Sequence, residues 1–143
     1  MRRRDDEGTV LLLTIGLVAV LLLLVAVVVD VSKVILAKRA LAAAADGAAL
    51  AAAQRLDRDA FADAPGERIP LDPTDVADAV QAYADQSRAE QPGLQLTGSV
   101  SATDPSLVIV AAHRRVSLPF VGWLGVADVD VTAEARAQSP VVP

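Results

Sequence analysis

Few residues in this sequence are of types that do chemistry, and they are scattered. The one histidine, His113, is followed directly by Arg114 and Arg115. An imidazole can act as a general base or a metal ligand. A zinc site, however, takes three or four donors, and the chain has no cysteine and no second histidine. That excludes a disulfide framework and a thiolate metal site. Asp128 and Asp130 stand two residues apart in an alternating stretch, so they share one face of a strand. Paired carboxylates can hold Ca²⁺ or move a proton, but on a wet strand face they are ordinary surface charge. The serines form no nucleophile elbow, and neither a P-loop nor a Gly-rich dinucleotide turn is present. This inventory reads as non-enzymatic, with no cofactor, no metal and no small-molecule substrate. The net charge is −5, with the acids mainly after residue 40. That opposes a nucleic-acid partner, which needs a basic face.

The elements say more than the polar residues do. Val10 to Val29 is an uncharged run in which sixteen of twenty residues are Val, Leu or Ile. At about 1.5 Å per residue it covers roughly 30 Å, the hydrocarbon thickness of a bilayer. Each such residue favours insertion by about 0.3–0.6 kcal/mol near the bilayer centre. The run exceeds the roughly 7–15 apolar residues of a cleaved secretory signal. The acids Asp5, Asp6 and Glu7 also sit where such a signal is basic. The expectation is a single-pass membrane protein with the lipid bilayer as its first partner. Arg2–Arg4 precede the span and Lys33, Lys38 and Arg39 follow it, so charge alone leaves the orientation close to a tie.

Past Asp30, the residue that ends the apolar run, no proline interrupts the chain up to Leu56, and the one glycine is Gly47. Eleven of the seventeen residues from Ala37 to Ala53 are alanine, the strongest helix former. One helix from about Thr9 to about Arg58 is expected. Val34, Leu41, Ala45, Ala48, Ala52 and Leu56 recur at spacings of three and four and form one face. Their small side chains permit close approach. The stripe suits contact with the chain's own C-terminal domain or with neighbouring chains, and both readings stand.

Ala60–Leu71 holds Pro65, Gly66 and Pro70 and reads as a linker. Asp72-Pro73-Thr74-Asp75 has the makings of a helix start, running to about Glu90 before Pro92-Gly93. Val76, Ala79, Val80 and Tyr83 form its apolar face. Three strands are expected at Leu94–Thr103, Ser106–Leu118 and Val126–Ala137. In the last, Val129, Val131, Ala133, Ala135 and Ala137 face one way, and Asp130, Thr132, Glu134 and Arg136 the other. The fold class is α+β: a long transmembrane helix continuing into an alanine-rich helix, then one helix and about three antiparallel strands. Between the last two strands lies Pro119-Phe120-Val121-Gly122-Trp123-Leu124-Gly125, the most apolar loop of the chain. Phe120 and Trp123 are either core filling or a patch for a partner or the membrane.

Two stretches together resemble a known family. Asp6-Glu7-Gly8-Thr9-Val10 runs into the span, and Val29-Asp30-Val31-Ser32-Lys33 leaves it. Then come Ala37-Lys38-Arg39-Ala40-Leu41 and Ala44-Ala45-Asp46-Gly47-Ala48-Ala49-Leu50-Ala51-Ala52-Ala53. Residues 6–55 thus resemble the N-terminal region of TadE/TadG-like proteins of Flp (tight-adherence) pilus systems. The resemblance implies an accessory or minor-pilin-like subunit with a cytoplasmic N-terminus and an extracytoplasmic, pilin-like domain. Its partners would be other pilus-assembly proteins or copies of itself. The interface residues expected from the exit, the alanine block and the loop are Asp30, Leu41, Ala45, Asp46, Ala49, Ala52, Phe120 and Trp123. Processed pilins usually carry glutamate fifth after their cleavage site. A cut after Gly8 would put Leu13 there, which favours a retained anchor. The chain divides into a cytoplasmic end (1–9), the span (10–29), the helical extension (30–58), a linker (59–72), the α+β domain (73–138) and a tail (139–143). The alternative is a membrane-tethered extracytoplasmic binding or regulatory module, motivated by the Phe120–Leu124 loop.

Overall fold

The computed structural model describes residues 3–54, 70–120, 122, 125 and 128–139. Its elements are α1 (Arg3–Ala53), α2 (Pro73–Ser87), β1 (Gln95–Val100), β2 (Leu107–Ser117) and β3 (Asp128–Gln138). The strands form one antiparallel sheet in the order β1-β2-β3, so the class is α+β, as read from the pattern. The expected end of the first helix at Arg58, most of the linker, Trp123 and the tail from Pro140 lie outside the described residues.

Helix α1 is continuous, about 75 Å long at 1.5 Å per residue. Its two halves have different surroundings. The apolar half is bare: the large side chains of Val10–Val29 stand exposed, with Leu12 at 75%. The Thr14 hydroxyl donates to the Val10 carbonyl at 2.8 Å, so that polar group is satisfied inside the helix, as a lipid environment requires. The alanine half is core. Leu41, Ala44, Ala45, Ala48, Ala49, Ala52 and Ala53 are all buried against β2, β3 and α2.

The sheet uses the period-two logic of its strands. Val108, Val110 and Ala112 of β2 face inward, as do Val131 and Ala135 of β3 and Leu96 of β1. Asp130, Thr132, Glu134 and Arg136 fall on the open face, in the phase expected. The register pairs Arg115 with Asp130 and Ala112 with Ala133. Helix α2 completes the inner layer with Val76, Ala79, Val80 and Ala84 buried, while Tyr83 is half-buried.

Helix α2 begins where its start signal says. The Asp72 carboxylate accepts the Thr74 N–H at 2.6 Å, Pro73 occupies the first turn and Asp75 adds negative charge there. It ends at Ser87, three residues short of Glu90. The Arg88 N–H bonds the Asp85 carbonyl at 3.4 Å, and the Glu90 and Gln91 N–H groups both close on the Ser87 carbonyl at 3.1 and 2.9 Å, so the chain leaves the helix in a turn. The β1–β2 turn is built on Asp104, whose carboxylate accepts the Ser106 N–H at 2.9 Å and hydroxyl at 2.6 Å. This turn cuts β1 back to Val100. Its Pro105 carbonyl accepts the Leu71 N–H, and its Ser106 carbonyl accepts the Ser139 N–H, both at 2.9 Å. Ser139, expected in a loose tail, is therefore held and buried.

Two glycines mark close approaches. A Cβ on Gly47 would run into the ring and hydroxyl of Tyr83. A Cβ on Gly98 would lie 2.6 Å from Val80 Cγ2 and 3.4 Å from Val76 Cγ1. Gly98→Ala forces α2 off the sheet and should destabilise the domain by about 1–3 kcal/mol. Thr97→Ala, on the open face, should change stability by less than about 0.5 kcal/mol. Thermal melts of the full chain in detergent check both. The bonds from Thr74 also hold the Asp72 carboxyl below the ordinary carboxylate range. Its pKa is lower folded than unfolded, so the cap's contribution is complete above about pH 4, the unfolded value. It disappears as pH falls through the lower folded value. Asp72→Asn keeps the cap and should flatten that part of the acid-side loss in melts from pH 7 to pH 3.

Candidate functional site

The open sheet face carries the groups with most chemical potential. Asp130 Oδ1 lies 3.2 Å from Arg115 Nε and 3.6 Å from His113 Nε2. All three are about half exposed or more. This is a cross-strand charge cluster set by the β2–β3 register, and exposed pairs of this kind contribute about 0–1 kcal/mol each. Among the described residues no group of three or more His, Cys, Asp or Glu side chains is placed to hold a metal ion.

The interface residues read from the sequence separate into three groups. Leu41, Ala45, Ala49 and Ala52 lie in the intramolecular core, so the alanine stripe is occupied by the chain's own sheet and second helix. Asp46 points the other way and is exposed, as is Leu50 at 56%. Asp30 and Phe120 meet each other. The Phe120 N–H donates to Asp30 Oδ2 at 3.1 Å, Asp30 is 3% exposed and the Phe120 side chain is 48% exposed. Trp123 lies outside the described residues.

The Asp30–Phe120 bond ties the loop after β2 to the first residue beyond the apolar run, ninety positions earlier. Spacing arguments along the chain carry no trace of this pairing. A second feature was also missed. The row of β2 residues facing α1 continues from Ala112 to Arg114, and Arg114 shares a groove with Lys33 of α1. The alternation of β2 could have exposed it, since an inward position filled by arginine departs from the pattern.

The geometry defines a class: a helix with a bare apolar half long enough to cross a bilayer, whose other half is the core of a small α+β domain. Over residues 8–55 the chain matches the family model of TadE/G-like Flp pilus-assembly proteins, which bears out the resemblance seen at residues 6–55. No curated protein and no solved structure matches the chain.

Hydrogen exchange tests the loop tie. A hydrogen bond to a charged group contributes about 1.5–3 kcal/mol. In Asp30→Ala the Phe120 amide should exchange roughly ten- to a hundredfold faster, while the Val110 amide in the central strand keeps its protection. An unchanged Phe120 rate would show that the bond does not hold the loop.

Proposed function

We propose that the chain is a membrane-anchored, non-enzymatic subunit of a Flp/Tad-type pilus-assembly system, accessory or minor-pilin-like, with its N-terminus cytoplasmic and its α+β domain outside. The observation that carries this reading is the coincidence of the family match with α1. The matched residues 8–55 take in both the bare apolar half and the buried alanine half of that helix. What the family shares is thus the anchor together with the surface on which the domain is built. An exposed apolar helix of this length is what a single-pass anchor requires. Its partners in this reading are the bilayer and other pilus-assembly proteins or copies of itself.

The outer face of α1, with Asp46 and Leu50 exposed, is the face that remains for neighbours. A cysteine at Leu50 should form cross-links to other chains in membranes, and one at Ala45 should not, because Ala45 is covered by the chain's own sheet. Proteolysis of the domain from the outside of intact cells tests the orientation. A Leu50→Cys chain that stays monomeric during pilus assembly would sink the subunit reading. The second reading, a tethered binding or regulatory module, draws on the exposure of Phe120. It predicts the opposite pattern: cross-links from Phe120→Cys and none from Leu50→Cys.

A further inference from the structure

Arg114 breaks the rule that the rest of its strand obeys. The β2 row facing α1 reads Val108, Val110, Ala112, Arg114, Val116. The first three are buried and apolar; the fourth is a half-buried guanidinium. A charge in an apolar row is unfavourable unless something satisfies it, and such local conflicts mark functional positions. Lys33 of α1 lines the same groove, a cavity of about 430 Å³ lined also by Leu36, Ala37, Ala40, Arg115, Val116 and Ser117. Neither Lys33 nor Arg114 has a hydrogen-bond or ion-pair partner among the described residues. Two of the acids nearby are engaged. Asp130 takes Arg115, which also lines the groove, and Asp30 accepts the Phe120 N–H; Asp128 stands opposite Ser117, a further lining residue.

Lys33 and Arg114 therefore line one groove beside small apolar side chains, and no carboxylate among the described residues lines it. Their height is informative. Lys33 is three residues past Asp30, about 4.5 Å along the helix. The headgroup layer of one leaflet is about 5–7 Å thick. The groove's lining on α1 runs from Lys33 to Ala40, about 4.5–15 Å past Asp30, so with α1 anchored its Lys33 end lies at headgroup level. Arg114 offers a planar fork to phosphate oxygens and Lys33 a point charge. Ala37 and Ala40 leave room for a headgroup.

We propose that the groove between α1 and the end of β2 binds the phosphate of an anionic phospholipid, held by Lys33 and Arg114. The proposal rests on the membrane-anchored reading above. A lipid, rather than a soluble phosphate, is the occupant because the groove adjoins the bare apolar half of α1.

Native mass spectrometry of the full chain in neutral detergent tests this with phosphatidylglycerol and phosphatidylcholine as probes. The wild type should retain phosphatidylglycerol in preference. Lys33→Gln, at an exposed helix position, should weaken retention about fivefold, and Lys33→Gln with Arg114→Gln about thirtyfold. Lys33→Arg with Arg114→Lys should keep it, which separates lost charge from lost folding. Arg88→Gln with Arg136→Gln changes the net charge equally far from the groove and should have no effect. Equal retention of the two lipids overturns the site. So does equal loss in the distant pair, or displacement of the lipid by millimolar glycerol 3-phosphate. Carbonate extraction of the wild-type membranes separates the two readings. Release of the chain overturns anchoring and site together, whereas a retained chain without lipid preference overturns the site alone.

Discussion

Close packing of an alanine face on a sheet is the constraint on which this structure depends. The sheet has three strands and one covered face, and small domains of this kind have little apolar surface to bury. Ala44, Ala45, Ala48, Ala49, Ala52 and Ala53 let the axis of α1 approach β2 and β3 more closely than leucines would. The large buried side chains then come from single positions: Leu41 on α1, Val76 and Val80 on α2, Val108 and Val110 on β2. Each contributes about 1.5–3 kcal/mol on burial. Gly98 follows the same logic on the other side, where any side chain would meet Val80. The domain is held by proximity more than by bulk, so its tolerance for added volume at these positions is low.

The surroundings of α1 change along its length, and the change falls at Asp30. Before it, over Val10–Val29, α1 is apolar around its circumference and its large side chains stand exposed. After it, one side is alanine and buried, and the other carries Lys38, Arg39 and Asp46 in water. Asp30 is itself buried, under the loop that follows β2. Its carboxylate thus has a structural partner at the level where the apolar run ends. The resemblance singles this residue out, and its bond to the Phe120 N–H gives a carboxylate at this position a structural role.

Legibility varied with the range of the interaction. The α1 continuity, the Asp72 cap and the inward row of β3 depend on residues within one or two turns or pleats of each other, and they were readable. The alanine stripe was readable as a contact face, but its occupant was not. A small-residue face is equally suited to a sheet or to another helix, and only the tertiary arrangement, with α2 and the sheet folding back on α1, decides for the chain's own domain. The Asp30–Phe120 bond spans ninety residues, and nothing local encodes it. Arg114 follows His113 directly in the sequence. Counted by the period of its strand, it belongs instead with Val108, Val110 and Ala112, on the side facing α1.

A continuous helix also couples the domain's position to the bilayer. From Asp30 to Asp46 the chain has neither proline nor glycine, so α1 offers no built-in kink between the anchor and the core. Leu41, where the buried face begins in earnest, lies eleven residues past Asp30, about 16 Å along the axis. The β2–β3 connection reaches back over this distance to Asp30. The domain is therefore strapped along the first turns outside the apolar run instead of hanging from their end. In a membrane-anchored chain, any tilt of the span is carried into the orientation of the sheet, and the groove between α1 and β2 moves with it. On the subunit reading proposed above, the outer face of α1 would meet its neighbours at a fixed height and angle, which side-by-side docking needs and a domain on a flexible tether would not provide.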